Sequence, residues 1–223
     1  MSKRLKGINE KVDRTKTYAV EDAVKVLKDN AKAKFDESID IAINLNIETA
    51  KTDQNVRGSV VLPNGTGRKT VVAVIARDEK AKEAKAAGAD IIGAEDLIEK
   101  IKKGDIGFDA CVATPDMMGL LGQVAKVLGP KGLMPNPKLG TVTLNVEDIV
   151  KSLKAGRVNY KNDKGGVVHA IVGKSSFDTE KLAENIKVFI ENISDARPSG
   201  AKGKFIKSIH LSTTQGVSLM LEA

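Results

Sequence analysis

The side chains best suited to recognising a ligand are short hydroxyl groups near the end of the chain. Because side chains alternate across a strand, a strand over residues 205–211 places one polar set on a single face: Ser208, His210, Ser212 and Thr214. Phe205, Ile209 and Leu211 fall on the other face with Lys207. Such hydroxyls can donate to and accept from sugar hydroxyls and phosphates. The alternative is a solvated strand face, where Ser and Thr are common.

Two neighbouring features favour the first interpretation. No acidic residue occurs between Asp195 and Glu222, whereas this segment contains Arg197, Lys202, Lys204 and Lys207. A second alternating stretch also begins at Ser38, in phase with Asp40, Asn44 and Asn46 and directly after Lys34 and Phe35. If the two strands are neighbours, they form one polar wall with cations at its end, which is a candidate surface for reading an RNA groove.

Residues 128–141 form the other candidate binding segment. They contain Pro130, Pro135 and Pro137 with several glycines, so they cannot continue a helix or occupy a central strand. Lys131 and Lys138 lie in a tract without an acid between Asp116 and Glu147, which attracts anions. A binding loop is favoured over a purely structural connection.

Several kinds of chemistry are not supported by the residues. His169 and His210 have no cysteine or acidic cluster at ligand spacing, so neither a metal nor another cofactor is expected. Cys111, in an apolar run, is predicted to be a buried, reduced structural thiol. Gly65-Thr66-Gly67-Arg68 lacks the Gly-Lys-Ser/Thr of a phosphate-binding loop, and an apolar strand follows it instead of a helix. We therefore expect a protein that is not an enzyme.

Composition is compatible with a polyanionic partner. The 223 residues include 36 basic and 29 acidic side chains, a net charge of +7. There is no Trp, and only 3% of residues are aromatic, so stacking of single-stranded bases on aromatic side chains is not expected. No signal-peptide core or membrane-length apolar run is present, which predicts a cytoplasmic protein without membrane contact.

The periodicity of apolar residues changes twice along the chain. Helices are predicted over 18–28, 78–87, 94–103, 117–128, 146–155 and 178–192, after an irregular or partly helical arm over 1–17. Strands are predicted over 39–47, 57–62, 70–76, 90–93, 108–114, 157–162, 167–172 and 205–211, with a hairpin turn over 163–166. The half-buried strands lie at both ends of the chain, and the continuous apolar strands alternate with helices between them.

These patterns predict an α/β protein with two domains. Residues 1–66 and 156–223 form a discontinuous α+β outer domain, an antiparallel sheet with helices packed on it. Residues 67–155 form an inserted α/β domain, a small Rossmann-like three-layer parallel sheet. The chain crosses twice between them, so Gly65, Gly67 and Gly156 are predicted to form a hinge.

The segment Gly-Pro-Lys-Gly-Leu-Met-Pro-Asn-Pro-Lys, at 129–138, closely resembles the central motif of the bacterial large-subunit ribosomal protein L1 family. Lys34-Phe35-Asp36-Glu37-Ser38 and Val168-His169-Ala170-Ile171-Val172-Gly173-Lys174 extend the resemblance through most of the chain. The closing motif departs from the family: Thr-Met-Gly-Pro is usual, and Thr214-Gln215-Gly216-Val217 stands here. Gln215 can form amide hydrogen bonds where Met packed, and Val217 restores a backbone donor that Pro lacks.

The resemblance implies which residues contact RNA. The principal contact with ribosomal RNA would lie in the outer domain, at Lys34, Phe35, Ser38, Ser208, Thr214, Gln215 and Gly216. His169 and Lys174 are further candidates at the edge of the RNA, and Lys131 and Lys138 are candidates for a secondary contact with RNA or tRNA.

The resemblance further implies a monomeric structural protein of the mobile stalk, without cofactor or membrane. Its expected partners are 23S rRNA of the large ribosomal subunit, deacylated exit-site tRNA whose release it assists, and the messenger of its own operon, which it represses. Two alternatives remain open from the residues themselves. One is a nucleotide-dependent enzyme using the inserted α/β domain, although fold alone does not license an activity. The other is a basic scaffold for protein partners.

Overall fold

The computed structural model describes residues 7–8, 12–13 and 15–222, and at Asp78 the backbone alone. The N-terminal arm predicted over residues 1–17 lies largely outside these residues. The chain divides into two compact units, Met1–Gly67 with Val158–Ala223, and Arg68–Arg157. Each unit has a hydrophobic core of its own.

The strands of the described chain are β1 (Thr17–Tyr18), β2 (Ser38–Leu45), β3 (Arg57–Val61), β4 (Val72–Ile75), β5 (Ile91–Gly93), β6 (Ala110–Ala113), β7 (Arg157–Lys161), β8 (Val167–Lys174), β9 (Ile206–Thr213) and β10 (Ser218–Leu221). Its α-helices are α1 (Val20–Asn30), α2 (Asp78–Ala86), α3 (Glu95–Lys102), α4 (Met118–Leu121), α5 (Ala125–Leu128), α6 (Val146–Lys154) and α7 (Thr179–Asp195). Short 3-10 turns cover Thr52–Gln54, Pro115–Met117, Gly122–Val124 and Pro137–Leu139.

The first unit is built on a sheet in the order β1-β10-β9-β2-β8. β1 pairs parallel with β10, and the other neighbours are antiparallel. β2 lies between β9 and β8, and Ile39, Ile41 and Ile43 on its inner face are 0% exposed. The alternation of this stretch therefore produces the half-buried strand that the sequence predicts.

Helices cover the inner face of this sheet. α1 and α7 contact each other and the sheet strands, and Leu27 and Phe189 join the β2 isoleucines in one buried cluster. The Phe189 ring meets Tyr160 edge to face, with 5.7 Å between the ring centroids. Full burial of such side chains contributes roughly 1.5–3 kcal/mol each, so the inner face fixes the orientation of β2 and leaves its polar residues on the opposite face.

The second unit contains a parallel sheet in the order β5-β4-β6. All four residues of β4 are fully buried, because α3 with the 117–128 segment packs on one face and α2 with α6 on the other. The predicted α/β fold class is confirmed in both its parts. An antiparallel sheet with helices on it forms most of the first unit, and a covered parallel sheet forms the second.

Some predicted boundaries are wrong. The first helix begins at Val20, because Thr17 and Tyr18 pair with the strand β10, which the sequence prediction missed. Residues 117–128 form two short helices joined by a 3-10 turn. Gly119 and Gly122 lie in this segment, and glycine weakens a helix interior by about 1 kcal/mol.

The turn at 163–166 is formed as predicted, but its flanking strands separate. Asn162 and Val168 make an isolated antiparallel bridge, and the Asp163 amide donates to the Val167 carbonyl at 2.9 Å. Beyond that bridge, β7 pairs with β3 whereas β8 pairs with β2. The turn therefore connects two different sheets.

Candidate nucleic-acid interface

The outer face of the large sheet is polar and is not covered by α1 or α7. We call it the open face; it is formed by Ser38, Asp40, Ala42 and Asn44 of β2, His169 and Ile171 of β8, and Ser208, His210 and Ser212 of β9, none of which is fully buried. In register, Asp40 lies opposite Ser212, and Asn44 opposite Ser208. The two polar strand stretches predicted from the sequence are therefore direct neighbours.

The alternation of residues predicts that Lys207 lies on the apolar face, and this prediction is wrong. The pairing of β2 with β9 shifts after Asn44, so that Leu45 pairs with Ile206 and Lys207 is the extra residue. A bulge of this kind re-aims a side chain, and Lys207 is exposed. The bulge adds a cation to the end of the sheet where Ser208 lies.

Three segments meet at the opposite end of β2, and we call residues 33–38, 174–176 and 213–216 the loop cluster. Glu37 joins them from within, although it is only 1% exposed. Its carboxylate accepts the backbone N–H of Ala33 and of Gln215, each at 3.1 Å. Its carbonyl accepts the N–H of Ser175 at 2.8 Å. Hydrogen bonds of this kind offset the cost of burying a charge.

The predicted residues Ser38 and Thr214 bond each other within this cluster. The Ser38 N–H donates to the Thr214 hydroxyl at 3.0 Å, and the Thr214 N–H donates to the Ser38 carbonyl at 3.1 Å. Lys174 Nζ donates to the Ser38 hydroxyl at 2.9 Å. These hydroxyls therefore have protein partners, so a first role of Thr214 is to hold the 213–216 turn against β2.

Gly216 is required at its position by close approach. A Cβ added there would lie 2.1 Å from the Thr213 hydroxyl oxygen, and the Gly216 N–H donates to the Thr213 carbonyl at 3.1 Å. Thr213 is buried, and its hydroxyl has no hydrogen-bond partner among the described residues. Val217, where the family usually has Pro, is 4% exposed and packs in the core.

Asp36 ties the 174–176 segment to the cluster. Its carboxylate accepts the Ser175 hydroxyl at 2.8 Å, and the Ser176 hydroxyl and amide at 2.8 and 3.1 Å. Desolvation raises the pKa of Asp36, but hydrogen bonds from Ser176 and Ser175, helped by the charge of Lys174, outweigh it, and the net pKa lies below the ordinary value. The carboxylate is therefore ionised at neutral pH.

The cluster presents a distinct set of groups to solvent. Phe35 is 51% exposed, and Lys34, Thr214 and Gln215 are exposed beside it. An exposed aromatic ring next to a cation and polar loop atoms can contact both the sugar or base faces and the phosphates of a nucleic acid.

The other predicted RNA contacts of this unit lie on the open face, away from the cluster. Ser208 pairs with Asn44, six residues from Ser38 and so about 20 Å along the strand. The His210 ring nitrogen Nε2 is 3.2 Å from the Ser208 hydroxyl. His169, opposite Ala42, is exposed, with its Nε2 3.9 Å from the Asp163 carboxylate. An RNA touching all these residues would have to run along β2 and β9.

Lys131 and Lys138 are exposed in the second unit. The loop that carries them is held by its own contacts: the Lys138 N–H donates to the Asn136 side-chain oxygen, and the Asn136 N–H to the Thr141 hydroxyl, both at 2.8 Å. Gly140 ends the 3-10 turn in the left-handed region, with φ 65°. The segment is therefore an ordered loop.

No group of three or more metal-binding side chains occurs in the described part of the chain. Cys111 is 4% exposed, and burial raises its pKa to about 12, which confirms the predicted buried thiol. Within residues 7–8, 12–13 and 15–222, no helix is long and apolar enough to cross a membrane.

The fold and this surface define a class of protein: a two-unit α/β chain that presents a polar open sheet with an ordered loop cluster at one end. Comparison with known proteins makes the class specific. The Ribosomal protein L1p/L10e family matches residues 27–217. Two proteins named large ribosomal subunit protein uL1 are similar over 222 residues, 100% of this chain to the nearest per cent. The one from Aromatoleum aromaticum is 51% identical with 96% of its length covered, and the one from Mannheimia succiniciproducens is 52% identical with 97% covered.

The chain belongs to the Ribosomal protein L1p/L10e family. The resemblance seen in the 129–138 motif is thereby confirmed. Sequence reasoning missed Glu37 and its bonds to Ala33 and Gln215. An acidic pair at the start of a strand usually lies in solvent, and the local sequence carries no signal that this carboxylate is buried.

Proposed function

We propose that this chain is a structural, non-enzymatic protein of the large ribosomal subunit, and that its first unit binds large-subunit rRNA. The observation that carries the proposal is the register of β2 with β9, which places Ser208 and Ser212 beside β2 on the open face, with the loop cluster at one end. The open face and the exposed Lys34, Phe35 and Gln215 then form one continuous path for an RNA strand. The net charge of +7 favours such a partner.

The roles within this surface differ. Lys34, Lys174 and the hydroxyls of Ser208 and Ser212 are suited to phosphates and sugars, which position an RNA. Phe35 supplies a face for a base or sugar. Glu37, through the amide of Gln215, holds the 213–216 turn in the arrangement that RNA meets.

The binding experiment uses the full chain and a large-subunit stalk RNA fragment, followed by fluorescence anisotropy. Phe35→Ala should weaken binding roughly 10- to 150-fold, because covering an exposed Phe ring contributes about 1.5–3 kcal/mol. Val61→Ala is the matched control, since Val61 is also a large exposed apolar residue, at 46%, and lies outside the loop cluster. Equal losses of RNA affinity in the two variants would mean that the RNA does not bind at the loop cluster.

We also propose the finer organisation that the family resemblance implies. Residues 1–66 with 156–223 form the RNA-binding domain, and residues 67–155 form an inserted domain that moves on a hinge at Gly65, Gly67 and Gly156. All three glycines have positive φ. The free protein is a cytoplasmic monomer, joins the mobile stalk near the tRNA exit site and assists release of deacylated tRNA.

Lys131 and Lys138 are proposed to supply the secondary RNA or tRNA contact. Replacing both by Glu should reduce tRNA release from ribosomes while leaving affinity for the rRNA fragment nearly unchanged. Lys82→Glu with Lys100→Glu provides a control of equal charge change in the same unit. An unchanged release rate with the loop variant would exclude this role.

We further propose that the same surface represses the operon of this protein by binding its messenger. Excess protein would reach the messenger only after rRNA sites are filled, so the ribosomal fragment should bind more tightly at equal salt. A messenger fragment that binds more tightly than the rRNA fragment would contradict this regulation.

A further inference from the structure

Asp40 is the acidic member of the open face. It is the third residue of β2, opposite Ser212 on β9 and Ile171 on β8. Strands pair with β2 on both sides, and the pairing with β8 shifts register between Ile39 and Asp40. A carboxylate repels phosphates, so its place on a surface otherwise rich in hydroxyls and cations requires a separate explanation.

The carboxylate of Asp40 is an acceptor without a hydrogen-bond or ion-pair partner among the described residues. Other acids near this surface are engaged: Asp36 by Ser175 and Ser176, and Glu37 by two backbone amides. Asp40 is half-buried, and desolvation raises its pKa, although the charges of Lys174 and His169 oppose the shift. A partly desolvated acceptor gains most from a donor that arrives with a ligand.

The donors that RNA can offer to this position are few. The major groove of an A-form helix is too deep and narrow for side chains, whereas the minor groove is wide and shallow. On base edges the minor groove offers a single donor, the 2-amino group of guanine. The other donor there is the ribose 2′-hydroxyl. A guanine amine beside Asp40 would leave the neighbouring Ser38 and Ser212 for sugar and phosphate.

We propose that Asp40 is a specificity-determining residue that accepts a hydrogen bond from the 2-amino group of one guanine in the bound RNA. This inference rests on the proposed RNA-binding function. Asp40 adds affinity only for an RNA that places this guanine beside it, because on any other RNA its charge opposes the nearby phosphates. Its contribution is to discriminate one base from the others.

The test compares wild type, Asp40→Ala and the isosteric Asp40→Asn on two RNAs, the stalk fragment and an unrelated duplex of equal length. Guanosines of the stalk fragment are replaced one at a time by inosine, which lacks the 2-amino group. Asp105→Ala is the control for charge, since it removes an exposed acid from a loop of the other unit. Circular dichroism verifies that each variant is folded.

Wild type should lose affinity at one inosine position by roughly 10- to 150-fold, the range for one hydrogen bond to a charged group. Asp40→Ala should show a similar loss on the unmodified fragment and no further loss at that position. On the unrelated duplex, Asp40→Ala should bind as tightly as wild type or several-fold more tightly.

Two results would overturn the inference alone. In the first, Asp40→Ala remains as sensitive as wild type to every inosine substitution. In the second, no inosine substitution lowers the affinity of wild type, whereas a 2′-deoxy substitution does. A wild type that binds both RNAs equally would overturn the proposed function itself and this inference with it. Wild-type preference for the stalk fragment thus separates the two failures.

Discussion

Replacing Glu37 by Gln tests how the loop cluster is held together. Glu37 is 1% exposed and accepts two backbone N–H groups, from Ala33 and Gln215. Gln retains one acceptor oxygen and turns an NH₂ group toward the other amide. One hydrogen bond to a charged group is lost and a buried donor is left unpaired, so the variant should be less stable by about 1.5–3 kcal/mol.

The assay combines urea unfolding with amide hydrogen exchange by NMR. A loss of about 2 kcal/mol corresponds to exchange roughly 30-fold faster, and it should appear at Ala33 or Gln215 while amides of the α6 helix in the other unit keep their rates. Affinity for the rRNA fragment should fall with it, since the turn at 213–216 loses one of the hydrogen bonds that hold it. Glu180→Gln, an exposed change on α7, should stay within about 0.5 kcal/mol of wild type.

Unchanged protection of both amides in Glu37→Gln would refute the reasoning. It would mean that the Gln215 turn is held by other contacts and that Glu37 is an incidental buried charge. Lower stability with unchanged RNA affinity would refute only the link between the cluster and RNA.

Three further predictions follow from single contacts. Gly216→Ala should destabilise the protein by about 1–3 kcal/mol in urea unfolding, as overpacking does, because the new methyl meets the Thr213 hydroxyl. Adding Thr213→Ala to this variant should restore much of the lost stability. Purely additive effects of the two substitutions on stability would contradict this. The folded-state pKa of Asp36 is lowered from its ordinary value of 3.8, so its bonds to the Ser176 side chain and amide stabilise the fold above that pH and lose the effect as pH falls through the folded pKa. Asp36→Asn should therefore flatten the acid limb of stability against pH. An unchanged limb would exclude the effect. Cys111, with its pKa raised to about 12 by burial, should react with a thiol reagent at pH 8 only after unfolding, and rapid reaction in the native protein would show that the site is open.

Elements with a strong local pattern could be predicted from the sequence. The alternation from Ile39 to Leu45 gives β2, and the continuous apolar run at 70–76 contains the buried β4. The broken helix at 117–128 could not be located, because its apolar spacing continues through Gly119 and Gly122. β10 was missed because four residues, Ser218–Leu221, are too few to establish a period.

The sequence could name candidate site residues, which stay a prediction, but not their geometry. Lys34, Phe35, Ser38, Thr214, Gln215 and Gly216 were identified through the family motifs, yet the pairing of β2 with β9 joins positions more than 160 residues apart. Local patterns do not encode such pairing. The bulge at Lys207 and the burial of Glu37 both depend on it, so neither could be found before the strands were placed.

The central claim is that the first unit reads the shape of a large-subunit RNA. The most direct test measures anisotropy of wild-type protein on a stalk rRNA fragment and on an unrelated duplex of equal length, across a salt series. We expect the stalk fragment to bind more tightly and to keep its advantage at physiological salt, since a specific site depends on more than counterion release. Equal affinities that fall together steeply with salt would contradict it, and would show that only the net charge of +7 attracts RNA.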